Sequence, residues 1–311
     1  MRARLPENPP AQAGLALQRY LKAVGDDGNS ARVLLESIQD SQVFGEYKLF
    51  FERWKGSLEG ALFLEATTRA PLAIGLGNKT PLENGLAIHH TYGVPYLPGS
   101  ALKGLARRVA PKQLSEEDSR VLFGSAESAG FIVFWDGWLD PAYQKPFQKD
   151  VITVHHPGYY KGGQAWPTDF DDPNPVAFLS VRPGVKFHLA LSSPDLKATS
   201  WLYLAAGLLY YGLEHLGLGG KTNAGYGYFE VEKPKSQAEQ GEELYQTYRR
   251  RIESIKGRNA AGEASWFKQE LSKHPPAVRR KTLEALLKHL EEWRLQREGF
   301  YQSLKQLLEE E

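Results

Sequence analysis

One short segment joins a turn, a helix start and two cations, a combination that can hold a phosphate group. Residues 95–104 read PYLPGSALKG, in which Pro-Gly predicts a turn and Ser100 is placed to cap the helix that follows. Lys103 and Arg107 stand one turn apart, on the face beside the apolar stripe of that helix. Such charges are usually solvated, but a helix N-terminus also attracts anions. We therefore predict a phosphate contact here, at Ser100, Lys103 and Arg107, that does not read base sequence.

A second segment supplies backbone amides without side-chain bulk. Residues 217–227 read GLGGKTNAGYG, which holds too many glycines for regular structure. Its amides can approach an anion closely, and one lysine adds charge. The residues predicted to contact phosphate and ribose are Gly219, Gly220, Lys221, Thr222 and Asn223. A turn used only for packing is the alternative. A nucleotide-binding phosphate loop is excluded, because its first glycine would fall on His215.

Together the two segments resemble the RAMP superfamily, the RNA-binding subunits of CRISPR-Cas systems, whose members carry a PGSxLKGxxR-like helix start and a C-terminal Gly-rich loop. Two further segments make the resemblance more specific. Residues 70–77 (APLAIGLG) and 150–160 (DVITVHHPGYY) resemble the sixth RAMP subunit of type III-B (Cmr) effector complexes. The similarity covers about residues 57–232. It implies a non-catalytic subunit that binds guide RNA near its 3′ end, with target RNA and other Cmr subunits as further partners.

The order of predicted elements is βαββαβ, a ferredoxin-like α+β core. The predicted elements are strands at 58–68, 131–139, 185–191 and 226–231 and helices at 99–109 and 201–216. Two long connections interrupt them, at 70–96 and 140–182, and the second is rich in proline. The resemblance implies that residues 145–165 of the second connection form a thumb that presses on RNA, with His155 and Tyr159 among its contacts.

Three regions are predicted along the chain. Residues 1–56 form a helical extension, 57–233 the RAMP core with its insertion at 140–182, and 234–311 a charged C-terminal helical region. The last includes one long amphipathic stretch at 276–308. It is either a helical bundle or a docking surface for a neighbouring subunit.

The composition favours a cytoplasmic subunit of an assembly. The 311 residues carry a net charge of +1, below the strongly basic balance of a freestanding nucleic-acid binder. Several weak phosphate contacts add within a larger complex. The chain has no cysteine, which excludes disulfides, and a single Met, which together with many Arg and Pro favours a hot-living prokaryote. The apolar run at 201–218 contains Glu and His and is interpreted as a buried helix.

Two histidine pairs, at 89–90 and 155–156, suggest metal binding or RNA cleavage. Adjacent histidines on a strand point to opposite faces, so we predict no metal and no cofactor. If His89 and His155 converged on one phosphodiester, they could cleave it by acid–base catalysis, as some RAMP endonucleases do. Cleaving type III backbone subunits use an Asp after the first strand, and residues 42–116 contain none. We therefore expect no catalysis; a metal-independent endoribonuclease and a protein-interaction cap without RNA contact are the alternatives.

Overall fold

The computed structural model describes residues 10–23, 28–154, 166, 174–195, 199–235 and 237–309. The chain divides into two compact units, Met1–Pro234 and Lys235–Glu311. Each unit has its own buried apolar cluster, one drawn from residues 13–231 and the other from 248–304. The predicted boundaries of the three regions stay predictions.

Among the described residues, the first unit contains six α-helices and eight strands. The helices are α1 (Ala13–Arg19), α2 (Asn29–Gln39), α3 (Glu46–Ser57), α4 (Gly99–Val109), α5 (Glu116–Phe123) and α6 (Thr199–Tyr211). The strands are β1 (Leu62–Thr68), β2 (Tyr96–Leu97), β3 (Val133–Phe134), β4 (Gly137–Leu139), β5 (Phe147–Val154), β6 (Asn174–Val181), β7 (Lys186–Ser192) and β8 (Phe229–Val231).

The main sheet is antiparallel and has the strand order β2-β4-β7-β1-β8, with β3 also paired to β7. Alternation along β1 sends Leu64 and Ala66 to one face and Phe63 and Glu65 to the other. Leu64 lies opposite the buried Leu189 of β7. The α+β class with an antiparallel sheet is thus confirmed.

Helix α3 covers the face of the sheet that carries Phe63 and Glu65. The Trp54 ring meets Phe63 edge-on at 5.9 Å, and the Phe51 ring meets His188 of β7 at 4.9 Å. Helix α6 also contacts β1 and β7. Because α3 occupies the first face, α6 packs on the opposite face of the sheet. Helix α4 packs on α6 and on the π-helical turn Gly212–Leu216 that continues it. The sheet is therefore covered on both faces.

Several predicted element boundaries differ from those of the structure. The strand expected at 131–139 is broken into β3 and β4 at residues 135–136. The helix expected at 201–216 is α-helical only to Tyr211 and ends in the π turn. The first and last strands begin at Leu62 and Phe229, four and three residues later than predicted at 58 and 226.

The insertion at 140–182 contains regular structure that we did not predict. Strands β5 and β6 pair over eight residues each, from Phe147↔Val181 to Val154↔Asn174, as a separate two-stranded sheet. Its prolines at 146 and 175 stand at or near strand ends, where a missing amide disturbs the ladder least.

The second unit contains four described helices, α7 (Gln237–Glu253), α8 (Ala260–Leu271), α9 (Pro276–Glu292) and α10 (Gly299–Glu309). The single stretch expected at 276–308 is thus two helices. Arg294 adopts φ 58° just after α9, and the next amide, of Leu295, donates to the Leu290 carbonyl at 3.1 Å. This left-handed residue ends the helix without glycine or proline, so the sequence pattern did not reveal it.

Candidate nucleic-acid interface

Helix α4 begins against the backbone of β3. The amide of Gly99 donates to the Asp136 carboxylate (2.6 Å), and a Cβ at Gly99 would overlap the carbonyl oxygen of Phe134. Pro98 is the N-cap residue, whereas Ser100 lies exposed inside the first turn and makes no capping bond. The prediction that Ser100 caps the helix was therefore wrong. Because Asp136 already supplies negative charge at this terminus, the helix end itself is a poorer anion site than we expected.

Two of the three cations of α4, Lys103 and Arg107, are the ones predicted to contact a phosphate, and both are available for a ligand. Arg107 is exposed and Lys103 is partly exposed, on the side away from the buried stripe of Leu102, Leu105, Ala106 and Val109. Neither Lys103 nor Arg107 has an ion pair or side-chain hydrogen bond in the described part of the chain. Their charges are therefore not neutralised by neighbouring carboxylates there.

The Gly-rich segment 217–227 folds against residues 71–76. The Gly220 amide donates to the Ala73 carbonyl (2.7 Å) and the Gly227 amide to the Pro71 carbonyl (2.8 Å). A Cβ at Gly219 would lie 2.5 Å from the Ala73 oxygen, and φ at Gly219 is 88°. These glycines are therefore required for packing and turning, the role that the alternative interpretation of the loop gave them.

Four amides of the same loop stay unbonded. In the part of the chain that the structure describes, no hydrogen bond engages the N–H of Gly219, Lys221, Thr222 or Asn223. The loop turns through Lys221, which adopts φ 59°, and through a 3-10 turn at 222–224. All four residues are at least partly exposed. Successive free amides in such a turn form an anion-binding concavity. The Gly220 amide is not among them.

The loop is tied to the β5–β6 sheet on its other side. The Tyr226 hydroxyl donates to the Asp150 carboxylate (2.5 Å), and the Lys221 ammonium lies 5.6 Å from the centre of the Phe178 ring. Burial and the hydrogen bond to Asp150 raise the pKa of Tyr226 to about 12. Tyr226 is therefore protonated, and donates, across the neutral range.

The structure brings the two predicted elements close without joining their charged side chains. A Cβ at Gly212, at the start of the π turn, would lie 2.7 Å from Leu105 of α4, and that turn leads directly into Gly217. No described contact links Lys103 or Arg107 to residues 219–223. Helix and loop are thus neighbours on one scaffold.

The insertion residues predicted to touch RNA lie mostly outside the described residues. This holds for His155 and Tyr159, so the convergence of His89 with His155 stays untested. His89 itself lies in an aromatic cluster, with its ring 5.1 Å from those of Tyr92 and Trp138. Burial lowers the pKa of His89, which favours the neutral imidazole. Another aromatic side chain of the second connection, Trp166, is described and is 83% exposed.

Neither a metal centre nor a membrane span is found in the described residues. Those residues hold no group of three or more His, Asp or Glu side chains that could hold an ion. None of their helices is both long and apolar enough to cross a bilayer.

Sequence reasoning missed three polar residues that organise this region, Asp136, Asp150 and Tyr226. Each acts across at least 37 residues of chain, from Asp136 to Gly99 and from Tyr226 to Asp150. Tyr226 and Asp150 lie inside the quoted segments 217–227 and 150–160, whereas Asp136 carried no local signal.

Comparison with known proteins gives relatives of one kind. The chain is 26% identical over 246 residues to the CRISPR system Cmr subunit Cmr6 of Pyrococcus furiosus, covering 58% of this chain and 72% of that one. It is 26% identical over 207 residues to the Cmr6 subunit of Saccharolobus solfataricus, covering 60% of this chain and 64% of that one, which is less than two thirds of that relative.

A solved structure agrees. A chain in the cryo-EM structure of the type III-B Cmr-beta complex bound to cognate target RNA superposes with a TM-score of 0.55 at 25% identity, covering 65% of this chain and 71% of that chain. The resemblance drawn from the two motifs is thereby confirmed. The family model of the RAMP superfamily matches residues 65–230, more than half of the 311 residues, and the chain therefore belongs to the RAMP superfamily.

Proposed function

We propose that this protein is a non-catalytic RNA-binding subunit of a type III-B (Cmr) CRISPR effector complex, where it holds the guide RNA near its 3′ end. The observation that carries the proposal is the set of four loop amides, that of Lys221 among them, that have no hydrogen-bond partner within the described part of the chain. Amides and a lysine bind phosphate without reading base identity, as a subunit that serves any guide requires. The names of its relatives and the RNA-bound assembly that contains its structural neighbour support the same role.

The core is ferredoxin-like in this proposal, which determines where RNA can bind. The order β4-β7-β1-β8 is the one that a βαββαβ chain gives when its central strands are the first and third. RNA-recognition modules with this arrangement stack bases on the open face of the sheet. Here α3 covers that face with Phe51 and Trp54. RNA is therefore directed to α4 and the Gly-rich loop instead.

Absence of catalysis is part of the proposal. An acid–base nuclease needs a group that exchanges protons at the scissile phosphate. His89 packs among aromatic rings with a lowered pKa, and residues 42–116 contain no Asp to hold a divalent ion. Guide RNA, target RNA and other Cmr subunits are the proposed partners, in the cytoplasm.

The test is a salt series on reconstituted complexes. Guide-RNA affinity is measured by filter binding with wild-type protein and with Lys103, Arg107 and Lys221 changed together to Ala. Each lost phosphate contact on a single strand makes the log–log salt slope shallower by about 0.7, so the triple variant should lose about two. Its complexes should assemble normally and bind RNA more weakly at every sequence tested.

A matched control removes the same charge elsewhere. Arg250, Lys288 and Lys305 are exposed, lie in the second unit, and have no ion pair in the described residues. Their triple Ala variant should keep the wild-type slope. Equal slopes for all three proteins would reject RNA contact and leave the protein-interaction cap. RNA cleavage in the presence of a chelator, lost in His89→Ala, would reject the non-catalytic role.

A further inference from the structure

Two consecutive residues of strand β5, Lys149 and Asp150, contact different parts of the protein on opposite faces of the strand. Side chains alternate along a strand, so Lys149 and Asp150 point to opposite faces of the β5–β6 sheet. One face lies against the N-terminal helix α2, and the other against the Gly-rich loop. The two contacts therefore connect an N-terminal extension without a recognised motif to the candidate RNA site.

On the α2 side, two side chains of the last turn of the helix accept hydrogen bonds from Lys149. The Lys149 ammonium lies 2.5 Å from the Glu36 carboxylate, and the Lys149 amide donates to the Gln39 side-chain oxygen at 2.8 Å. The second contact occupies an amide on the edge of β5 that does not face β6. Lys145 adds an ion pair with Asp40 at 3.3 Å. This edge of the hairpin is thus covered and fixed in position by α2.

On the loop side, Asp150 and its cross-strand partner Phe178 meet residues of the Gly-rich loop. Asp150 accepts the Tyr226 hydroxyl bond, and Phe178, fully buried, lies beneath both the Tyr226 ring (6.2 Å) and the Lys221 ammonium (5.6 Å). Lys221 is the cation placed beside the free amides. The position of its charge therefore depends on the position of β5 and β6.

We propose that Glu36 and Gln39 are positioning residues for the Gly-rich loop, acting through Lys149 and Asp150 of β5. In this arrangement α2 sets the position of the hairpin, and the hairpin in turn holds Tyr226 and Lys221. The ligand is the one named under the proposed function, single-stranded RNA, and this part of the inference rests on that function. The mechanical coupling does not rest on it and can be measured without RNA.

The first test is hydrogen exchange on the full-length chain with Glu36→Ala and Gln39→Ala combined. The bonded loop amides of Leu218, Gly220 and Gly227 should exchange about tenfold faster or more, because the variant removes one charge-assisted and one neutral hydrogen bond from the chain of contacts. Amides of β1 and β7 should keep their protection. If they do not, the double variant has loosened the whole unit, and the single variant Glu36→Gln, which removes only the charge, replaces it.

Two further variants separate coupling from loss of bulk. Asp150→Asn keeps an acceptor for the Tyr226 hydroxyl and should leave loop exchange near wild type, whereas Asp150→Ala should match the α2 variant. Combining Asp150→Ala with the α2 variant should add little, because both break one path. Glu116→Ala, which removes an ion pair with Arg120 (2.7 Å) on α5, is the control and should change nothing in the loop.

Measurements of RNA affinity then distinguish the coupling between α2 and the loop from the proposed RNA-binding function. Unchanged loop exchange in the Glu36 and Gln39 variants would overturn the coupling, even if Lys221→Ala weakens RNA binding. Faster loop exchange together with no effect of Lys221→Ala on RNA affinity would keep the coupling and reject the proposed function. The expected result is that the α2 variant speeds loop exchange and weakens RNA binding about tenfold although its altered residues do not contact RNA, and that Asp150→Asn, unlike Asp150→Ala, leaves both near wild type.

Discussion

The imidazole of His89 lies among the rings of Phe50, Tyr92 and Trp138, and its burial lowers its pKa. The pKa in the folded state is thus below the unfolded value of about 6.5. The fold favours the neutral ring, so the stability that His89 contributes is complete above about pH 6.5 and is lost as the pH falls toward its folded pKa. Acidification should therefore destabilise the first unit through this residue.

We predict that the thermal midpoint of the wild type falls between pH 7 and pH 5.5, and that His89→Phe makes this fall smaller. Phe keeps the aromatic packing and cannot take up a proton. Differential scanning fluorimetry over a pH series measures the difference, with the exposed neighbour variant His90→Phe as control. Parallel curves of thermal midpoint against pH for the wild type and His89→Phe would show that protonation of His89 is not coupled to the stability of the fold.

At the scale of single elements, α4 offers two glycines with opposite roles. Gly99 touches the β3 backbone, whereas a Cβ at the exposed Gly104 would meet nothing within 4 Å. Gly99→Ala should destabilise the protein by about 1–3 kcal/mol through overpacking, and Gly104→Ala should stabilise it by about 0.5–1 kcal/mol. Urea unfolding curves of the two variants check both signs.

Gly104 also lies between Lys103 and Arg107 in the helix, so the same variant tests the RNA face. An RNA backbone that approaches this surface closely would meet the added methyl group. We expect Gly104→Ala to weaken guide binding while it raises stability. Gly207→Ala in α6, where the space is also open, should raise stability alone. Equal guide affinity in both variants would place the phosphate contact away from Gly104.

The sequence predicted α4 with its bounds because the helix depends on contacts three and four residues apart. The stripe of Leu102, Leu105, Ala106 and Val109 is readable in one turn after another. The β5–β6 pairing was not readable in this way, since Lys149 faces Leu179 across 30 residues of chain. The same limit hid Asp136 as the acceptor of the Gly99 amide and Glu36 as the partner of Lys149.

The glycines of the loop show where a correct pattern had an incomplete cause. The run 217–227 indicated an irregular, phosphate-holding loop, and its free amides at 221–223 fit that interpretation. Yet Gly219, Gly220 and Gly227 are explained by close contact with residues 71–76 and Leu218. The glycine-rich composition predicted a loop. The segment that the loop packs against, residues 71–76, could be identified only from the three-dimensional structure.

At the scale of the whole molecule, the two units bury separate apolar clusters, one centred on the sheet and one on helices α7–α10. Cooperative unfolding follows a shared core, so separate cores favour separate transitions.

We predict two transitions in calorimetry of the full chain. Leu189→Ala should lower the first unit's transition and Phe267→Ala the second's, each residue being fully buried in its own cluster. Each truncation should cost about 2–5 kcal/mol in its own unit, through lost burial and the cavity left behind. If either variant moved both transitions together, the chain would unfold as one cooperative body, and the C-terminal helices would be part of the core's stability rather than an independent module.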